Sequence, residues 1–501
     1  MVLALYDLSG IQKFIFSTNK VKEIIGASIV ISKALFENIP QMLGEDTDEW
    51  KTKKFSFNSG DKKKIVYIGG GNALLMFDNF ETEKEFSNQL SETVFLQSGG
   101  AIRLCGAAVE VNEGETLAEN QRRLREELDK CKKASGNILP SVGISVTAQD
   151  NNNFEPLVLY GNNAMTRTQH AKLKTSNENA EFLDSLRPSE NVKFATVFDT
   201  EKESDKKSFI AVIHIDGNTM GNLIREFVEG QNGDIITALD NMRKLSVTIS
   251  SLYRDTLRET LREVYNGQTG EILFRPIIAD GDDITVMIKS QKAFEFTEKF
   301  IKKLAEGKKI FQEMHIDFSP TAAAGIAFVK AKFPFSTAYN IAEACCKNAK
   351  GMTLKRLNLN GTTKNSIDFQ VCYSDMSGDL ASYREKNYIK DGCSLIKRPY
   401  IFFDDGDYSY EKFKDLCETL EKAMGKGIAR SKLKGLRNSY GVDKIAAENY
   451  GRYIKAHAEK NEPITEMLSN PFDESGRAKF FDYFDIMDIV YKEAGKDEED
   501  E

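Results

Sequence analysis

The sequence predicts an α+β fold made of two copies of one strand, turn and helix module, followed by a mainly helical region. Three observations predict it. Two acidic strand ends run through a glycine-containing turn into a helix. Behind each follows a β-hairpin at nearly the same distance, and the last third of the chain carries amphipathic helical patterns. With 501 residues, length favours two to four domains with sizeable cores. The 41% hydrophobic and 29% charged composition is that of a globular protein, and a net charge of −8 advertises no nucleic-acid binder by overall charge.

The first module opens with LALYDLSGIQKFIF, a strand ending at Asp7, a Ser-Gly turn and a helix. KIVYIGGGNALLMF (64–77) then reads as a hairpin around Gly69, Gly70 and Gly71. LCGAAVEVNEG around Gly106 is a further strand, trailed by a helix ending in Lys132-Lys133. Residues 137–206 are rich in Asn, Asp, Gly and charge, a boundary region between copies.

The second module repeats the order. An apolar run from Phe209 to Ile215 ends at Asp216, and a helix begins near Met220. Residues Gly217, Asn218, Thr219, Met220 and Gly221 present backbone N–H groups at that helix start, a place for phosphate. FRPIIADGDDITVMIK (274–289) is a hairpin with Asp280-Gly281-Asp282-Asp283 at its turn, and AAAGIAFVKAK around Gly325 leads to a helix reaching Lys350. The spacings agree. Asp7 and Gly71 stand 64 residues apart, Asp216 and Asp282 66; Gly106 and Lys132 stand 26 apart, Gly325 and Lys350 25. Beyond Lys350, residues 353–369 read as irregular. Segments such as YSYEKFKDLCETLEKAM and KFFDYFDIMDIVYKEAG read as helices, and KDEEDE as a charged tail. The division expected is 1–136, a degenerate first module; 137–206, a linker region; 207–360, the catalytic second module; and 361–501, mainly helical.

Adjacent carboxylates repel unless a cation lies between them, so Asp282-Asp283 at a hairpin tip suggests a hard-metal site. A solvated Asp-Gly turn is the bland alternative. A strand-end Asp216 facing this hairpin is the palm arrangement of polymerases and nucleotide cyclases, in which two carboxylates bind Mg²⁺ against substrate phosphates. The first copy has Gly71 and Asn72 in place of the acids and is expected to bind metal poorly. Its glycines still let backbone approach a nucleotide. One live and one degenerate copy suggest a donor site facing an acceptor site.

Other chemistries find less support. Seven dispersed cysteines with no CxxC pair argue against a zinc ribbon or disulfide framework and fit a reducing compartment. None of the four histidines is followed by Asp, and His214, inside an apolar strand, reads as a hydrogen-bonded core residue. No apolar run approaches the roughly 18 residues of a membrane span, and no leader is evident, so a cytoplasmic protein with no membrane partner is expected. The basic cluster from Lys426 to Arg437 can meet RNA or a partner, although a solvated helix face is the usual explanation.

These motifs together resemble the large palm-containing subunit of type III CRISPR effector complexes, which makes cyclic oligoadenylates. DLSGIQKFIF (7–16), HIDGNTMGNLI (214–224), ADGDDITVMI (279–288), AAAGIAFVKAKFPFSTAYNIAEACCKNAK (322–350), KRPYIFFDDGDYSYEKFKDL (397–416) and ARSKLKGLRNSY (429–440) carry the resemblance. It implies two ferredoxin-like palm (nucleotidyl cyclase) domains plus a C-terminal helical domain. It also implies ATP as substrate, Mg²⁺ or Mn²⁺ as cofactor, and small subunits with guide and target RNA as partners. Asp216 and Asp282 would be metal ligands, and Asp283 would support the metal or polarise the hydroxyl. Gly217 to Gly221 would cradle the triphosphate that Lys350 neutralises, while Ser9, Gly10 and Gly69–Gly71 would help seat the acceptor. Asp280 replaces the first of the family's two hairpin glycines, and Asn218 stands where a second Asp is common. The HD nuclease domain and zinc cysteines of many members are missing, which puts DNA cleavage out of reach. Two alternatives stay open: a non-catalytic scaffold subunit, and a diguanylate-type homodimeric cyclase, which fits two unequal palms poorly.

Overall fold

In the computed structural model, residues 1–45, 49–134, 144, 146–151, 154–176, 185–195, 198, 209–360, 363–373, 379–424, 428–457 and 463–491 are described. Strands β1 (Val2–Ser9), β2 (Lys63–Gly69), β3 (Asn72–Phe77) and β4 (Arg103–Glu110) pair antiparallel in the order β2-β3-β1-β4. The apolar runs of these strands lie under helices α1 (Ile11–Phe16), α2 (Val21–Phe36), α3 (Phe80–Gln97) and α4 (Leu117–Ala134). Each of these helices gives the sheet its apolar stripe, for instance Phe86, Leu90 and Val94 of α3. Helix α5 (Arg167–Ser176) packs so closely on α2 that a Cβ at Gly26 would lie 1.8 Å from the Lys172 carbonyl oxygen.

The second sheet repeats the first and extends it. Strands β5 (Phe209–Gly217), β6 (Phe274–Asp280), β7 (Asp283–Lys289), β8 (Ala322–Lys330), β9 (Ser366–Cys372) and β10 (Tyr400–Ile401) lie in the order β6-β7-β5-β8-β9-β10. The first four match the first sheet strand for strand. Both hairpins even carry a register shift at the equivalent place, between Ile65 and Tyr67 and between Pro276 and Ile278. Helices α6 (Met220–Glu229), α7 (Ile235–Val264), α8 (Ala293–Glu306) and α9 (Phe335–Asn360) surround it.

Two details correct the sequence reading. Strand register puts Ala107, not Gly106, in the place of Gly325, because Asp7 pairs with Cys105 while Asp216 pairs with Ala323. With that slip removed, Ala107 to Lys132 and Gly325 to Lys350 are both 25 residues. Glycine was a misleading anchor, since only the second copy needs one there. The stretch 353–369 is not irregular throughout: α9 runs to Asn360, and β9 adds in parallel to β8. Its residues Ser366 to Cys372 are buried without alternation, as a strand covered on both faces requires.

The long helix α7 ties the two sheets together. Asp234 caps it by accepting from the Thr237 N–H. Buried Arg243 donates to the carbonyls of Trp50, Lys53, Ile65 and Val66 in the first module. Further along, Leu245, Ile249, Leu252, Tyr253, Leu257 and Leu261 join the core of the second. After β10 come α10 (Tyr410–Met424), α11 (Arg430–Tyr440), α12 (Lys444–Ala456), α13 (Pro463–Ser469) and α14 (Phe481–Ile486). Fully buried Arg398 joins them to the sheet through Asp482 at 2.8 Å and Asp485 at 3.0 Å. In the basic cluster, Arg430 and Lys434 pair with Asp488 and Arg437 with Asp485; Lys426 and the KDEEDE tail lie outside the described residues. Among the described residues no helix is long and apolar enough to cross a membrane.

Candidate functional site

The ends of β5 and β7 meet at the predicted acids. Register sets Asp283 directly opposite Asp216, so the two carboxylates share one face of the sheet. Like charges in that position repel, and the fold supplies a cation. Lys350 Nζ donates to Asp216 Oδ2 at 2.6 Å and to the Gly217 carbonyl at 2.9 Å. Gly325 makes this reach possible. A Cβ there would lie 1.9 Å from the Ala342 carbonyl oxygen and 2.3 Å from the Cys346 nitrogen, so only glycine lets α9 lie against β8.

Asp282 sits one residue earlier, at the tip, with its carboxylate over Gly217. An ideal Cβ on Gly217 would be 2.8 Å from Asp282 Oδ2 and 2.6 Å from the Tyr253 hydroxyl. Burial, with Asp282 and Asp216 close by, holds the Tyr253 hydroxyl well above the usual tyrosine range, so it stays protonated. On the opposite face, His214 Nδ1 lies 3.0 Å from Thr285 Oγ1 and 3.4 Å from Asp283 Oδ1. Burial lowers the His214 pKa despite the attraction of Asp216 and Glu343, as a hydrogen-bonded core histidine behaves. Tyr339 of α9 packs edge-on to His214 and stacks on Phe16 of the first module.

The five residues of the predicted phosphate turn divide. The Asn218 N–H donates to the Thr321 carbonyl at 2.8 Å, and its buried side chain donates to Thr321 Oγ1 and the Lys364 carbonyl. The Met220 side chain belongs to the core. Gly217 is buried under Tyr253 and Asp282, Thr219 is half-buried and Gly221 exposed. Thr219 holds φ 59°, a left-handed conformation that a β-branched residue avoids at a cost of about 1–3 kcal/mol. Strain of that kind collects at ligand-facing turns.

The first module keeps the same framework with weaker chemistry. Asp7 pairs with Asn72 in register, and Lys132 Nζ lies 2.8 Å from Asp7 Oδ2, the counterpart of Lys350 on Asp216. Ser9 Oγ is 3.5 Å from Cys105 Sγ, and Gly10 opens α1 at φ 90°. Gly70 and Gly71 hold φ 62° and 73°, and Gly69 lies against Ser246 and Ser250 of α7. The two hairpin tips abut, since a Cβ on Gly281 would lie 3.8 Å from the Gly70 nitrogen. Ser9, Gly10, Gly69–Gly71, Asp216, Asp282, Asp283 and Lys350 therefore gather around the junction of the two sheets, where Asn218 and Met220 turn inward. Sequence reasoning passed over Tyr253, Ser246 and Ser250. Their one signal is hydroxyls spaced by four and three on a single helix face. Among the described residues no three His, Cys, Asp or Glu side chains form a ready metal cluster.

Two palm sheets joined tip to tip, one with acids and one without, define the class. Residues 209–358 match the family model described as Cas10/Cmr2, second palm domain, so the second sheet is a Cas10-like palm domain. No curated protein matches it by sequence. Two solved structures share the fold at a TM-score of 0.51 and 13% identity, each covering 98% of this chain and 69% of the other. They are Csm1 in T. onnurineus and a Csm1-Csm4 cassette in complex with pppApA.

Proposed function

We propose that this chain is a nucleotidyltransferase that joins ATP into a cyclic oligoadenylate-type messenger, as the signalling subunit of a type III CRISPR assembly. The observation that carries it is the Asp216–Asp283 pair in register at the strand ends, with Lys350 on Asp216 and the Gly217 carbonyl beside it. On this reading residues 1–136 seat the acceptor, 207–360 hold the donor, and 361–501 with small subunits, guide RNA and target RNA make up the assembly. The solved cassette with pppApA, a two-adenosine chain bearing a triphosphate, supports ATP as the building block and a Csm4-like neighbour as partner.

The donor set at this strand end is all oxygen, and an ammonium already bridges Asp216 and the Gly217 carbonyl, which suits a hard divalent cation. Asp216, Asp282 and that carbonyl would hold Mg²⁺ or Mn²⁺, which when bound neutralises phosphate charge and acidifies the attacking hydroxyl. The chain's own residues do the rest. Lys350 moves its charge from Asp216 to the triphosphate, and the N–H groups of Thr219 to Gly221 at the start of α6 bind phosphate oxygens. Asp283, held beside neutral His214, polarises the acceptor 3′-hydroxyl. The O3′–Pα bond forms as the hydroxyl proton passes to Asp283 and the bond from Pα to the bridging oxygen breaks, and pyrophosphate leaves with that electron pair.

The test is to incubate the purified chain with ATP and Mg²⁺, with and without candidate RNAs, and to identify products by mass spectrometry. Oligoadenylate is expected, and an Asp282→Ala/Asp283→Ala double variant should abolish it. Product persisting unchanged in that variant would refute the assignment.

A further inference from the structure

One buried polar group at the junction has no use in the scheme above. The Tyr253 side chain is 1% exposed, and its hydroxyl has no hydrogen-bond partner among the described residues. Leaving a buried hydroxyl unpaired is unfavourable, and native folds rarely do so without a reason. Its surroundings supply the reason. The hydroxyl and Asp282 Oδ2 both close on Gly217, lying 2.6 and 2.8 Å from the point where a Cβ would stand.

The helix that carries Tyr253 is fixed at both ends of the site. Arg243 fastens it to four carbonyls of the first module, and Leu257 and Leu261 fasten it into the second core. Between these anchors, Ser246 and Ser250 lie against Gly69 of one hairpin, and the Tyr253 hydroxyl lies over Gly217, which Asp282 of the other hairpin also covers. Two turns of one helix thus span both tips, so the tyrosine is carried on a rigid strut and not on a loop.

From this arrangement we infer that Tyr253 is the positioning residue for Asp282: its hydroxyl, unpaired among the described residues, donates to one carboxylate oxygen when a bound cation draws the other toward Asp216. The inference rests on the proposed transferase reading and deepens it. A carboxylate that serves a cation with one oxygen needs its second oxygen held, or it swings between orientations. A phenol hydroxyl is a donor, and Gly217 is the residue that leaves room for it and for Asp282 Oδ2 side by side. Without the hydroxyl, Asp282 remains present but loses this donor when the cation binds.

The experiment uses the full chain and Tyr253→Phe, which keeps the ring against Phe300 and removes one oxygen. Three readouts are compared with the parent: Mn²⁺ binding by electron paramagnetic resonance without nucleotide, the kcat and KM for ATP, and the melting temperature without metal. Mn²⁺ binding is expected to weaken about tenfold, kcat to fall about tenfold or more, and KM to stay within about twofold. The melting temperature should stay level or rise, because the lost hydroxyl was unpaired. Parent-like Mn²⁺ binding and turnover would overturn the inference, and so would a fall in melting temperature of several degrees. Asp282→Ala runs alongside. If it also binds Mn²⁺ and turns over like the parent, the transferase reading itself fails; if it is silent while Tyr253→Phe is normal, only the role of Tyr253 fails.

Discussion

The duplicated lysines give an internal control for where the chemistry sits. Lys350 on Asp216 (side chains 26% and 37% exposed) and Lys132 on Asp7 (38% and 24%) are equivalent pairs in equivalent sheets, at 2.6 and 2.8 Å. Both are partly solvated, so each contributes no more than about 1 kcal/mol to stability. Lys350→Met and Lys132→Met should therefore melt alike, within a few degrees of the parent. Their effects on turnover should differ. If Lys350 stabilises charge on the triphosphate as it leaves, its loss should cost about 100- to 1,000-fold in kcat, or roughly 3–4 kcal/mol. Lys132 sits on an Asp7 that faces Asn72 and a glycine turn instead of a second acid, and its loss should cost less than about tenfold. The assay is the initial rate of pyrophosphate release from ATP at saturating Mg²⁺, with melting followed by fluorescence. Equal losses of turnover in both variants would refute the division into donor and acceptor sheets, and so would full activity in Lys350→Met.

Two further predictions concern the scaffold. Gly325→Ala places a methyl 1.9 Å from the Ala342 carbonyl oxygen, backbone that cannot step aside, so α9 must lift from β8. Destabilisation of about 3 kcal/mol is expected, with a drop in the melting temperature and lost activity; an unchanged melt would contradict the close approach. Lys172 is buried between α1 and α5, donating to the Phe14 carbonyl and Ser17 Oγ, and burial pushes its pKa down to about 8, against the attraction of Glu23 and Glu155. Between about pH 8 and the unfolded value of 10.5, the unfolded chain keeps a proton that the folded chain has released. Stability should rise with pH across that window, by up to about 3 kcal/mol, and the cost is fully present below it. Urea midpoints of the parent and Lys172→Met at about pH 7 and about pH 10 should diverge in slope; parallel shifts would disprove the buried charge.

Much of the fold was legible because its signals are local. Apolar runs closed by Asp7-Leu8-Ser9-Gly10 or Asp216-Gly217 mark a strand end turning into a helix. Gly70-Gly71 and Gly281-Asp282 mark two-residue hairpin turns, and the structure has each where the spacing put it. Misreadings came where local pattern and tertiary place part company. Gly106 looked like Gly325, yet a one-residue slip in strand register is invisible without the partner strand. Ser366 to Phe369 looked irregular although polar and apolar residues alternate there; the polar side, Ser366 and Asp368, is buried as well, with Asp368 paired to Arg384. Asn218 looked like part of a phosphate turn, and the structure uses its N–H to close the sheet against Thr321.

By itself, the sequence determined which side chains are present for chemistry: the acids at 216, 282 and 283, the lysine at 350 and the glycine turn that replaces acids in the first copy. Only the tertiary structure decided how they meet. It set Asp283 opposite Asp216, bent Asp282 over Gly217 beneath Tyr253, and brought the two tips within contact distance along one 30-residue helix. The physical reason is that turn and strand preferences act over a few neighbouring residues, whereas register and close approach depend on surfaces hundreds of positions apart and on the few glycines that let backbones touch.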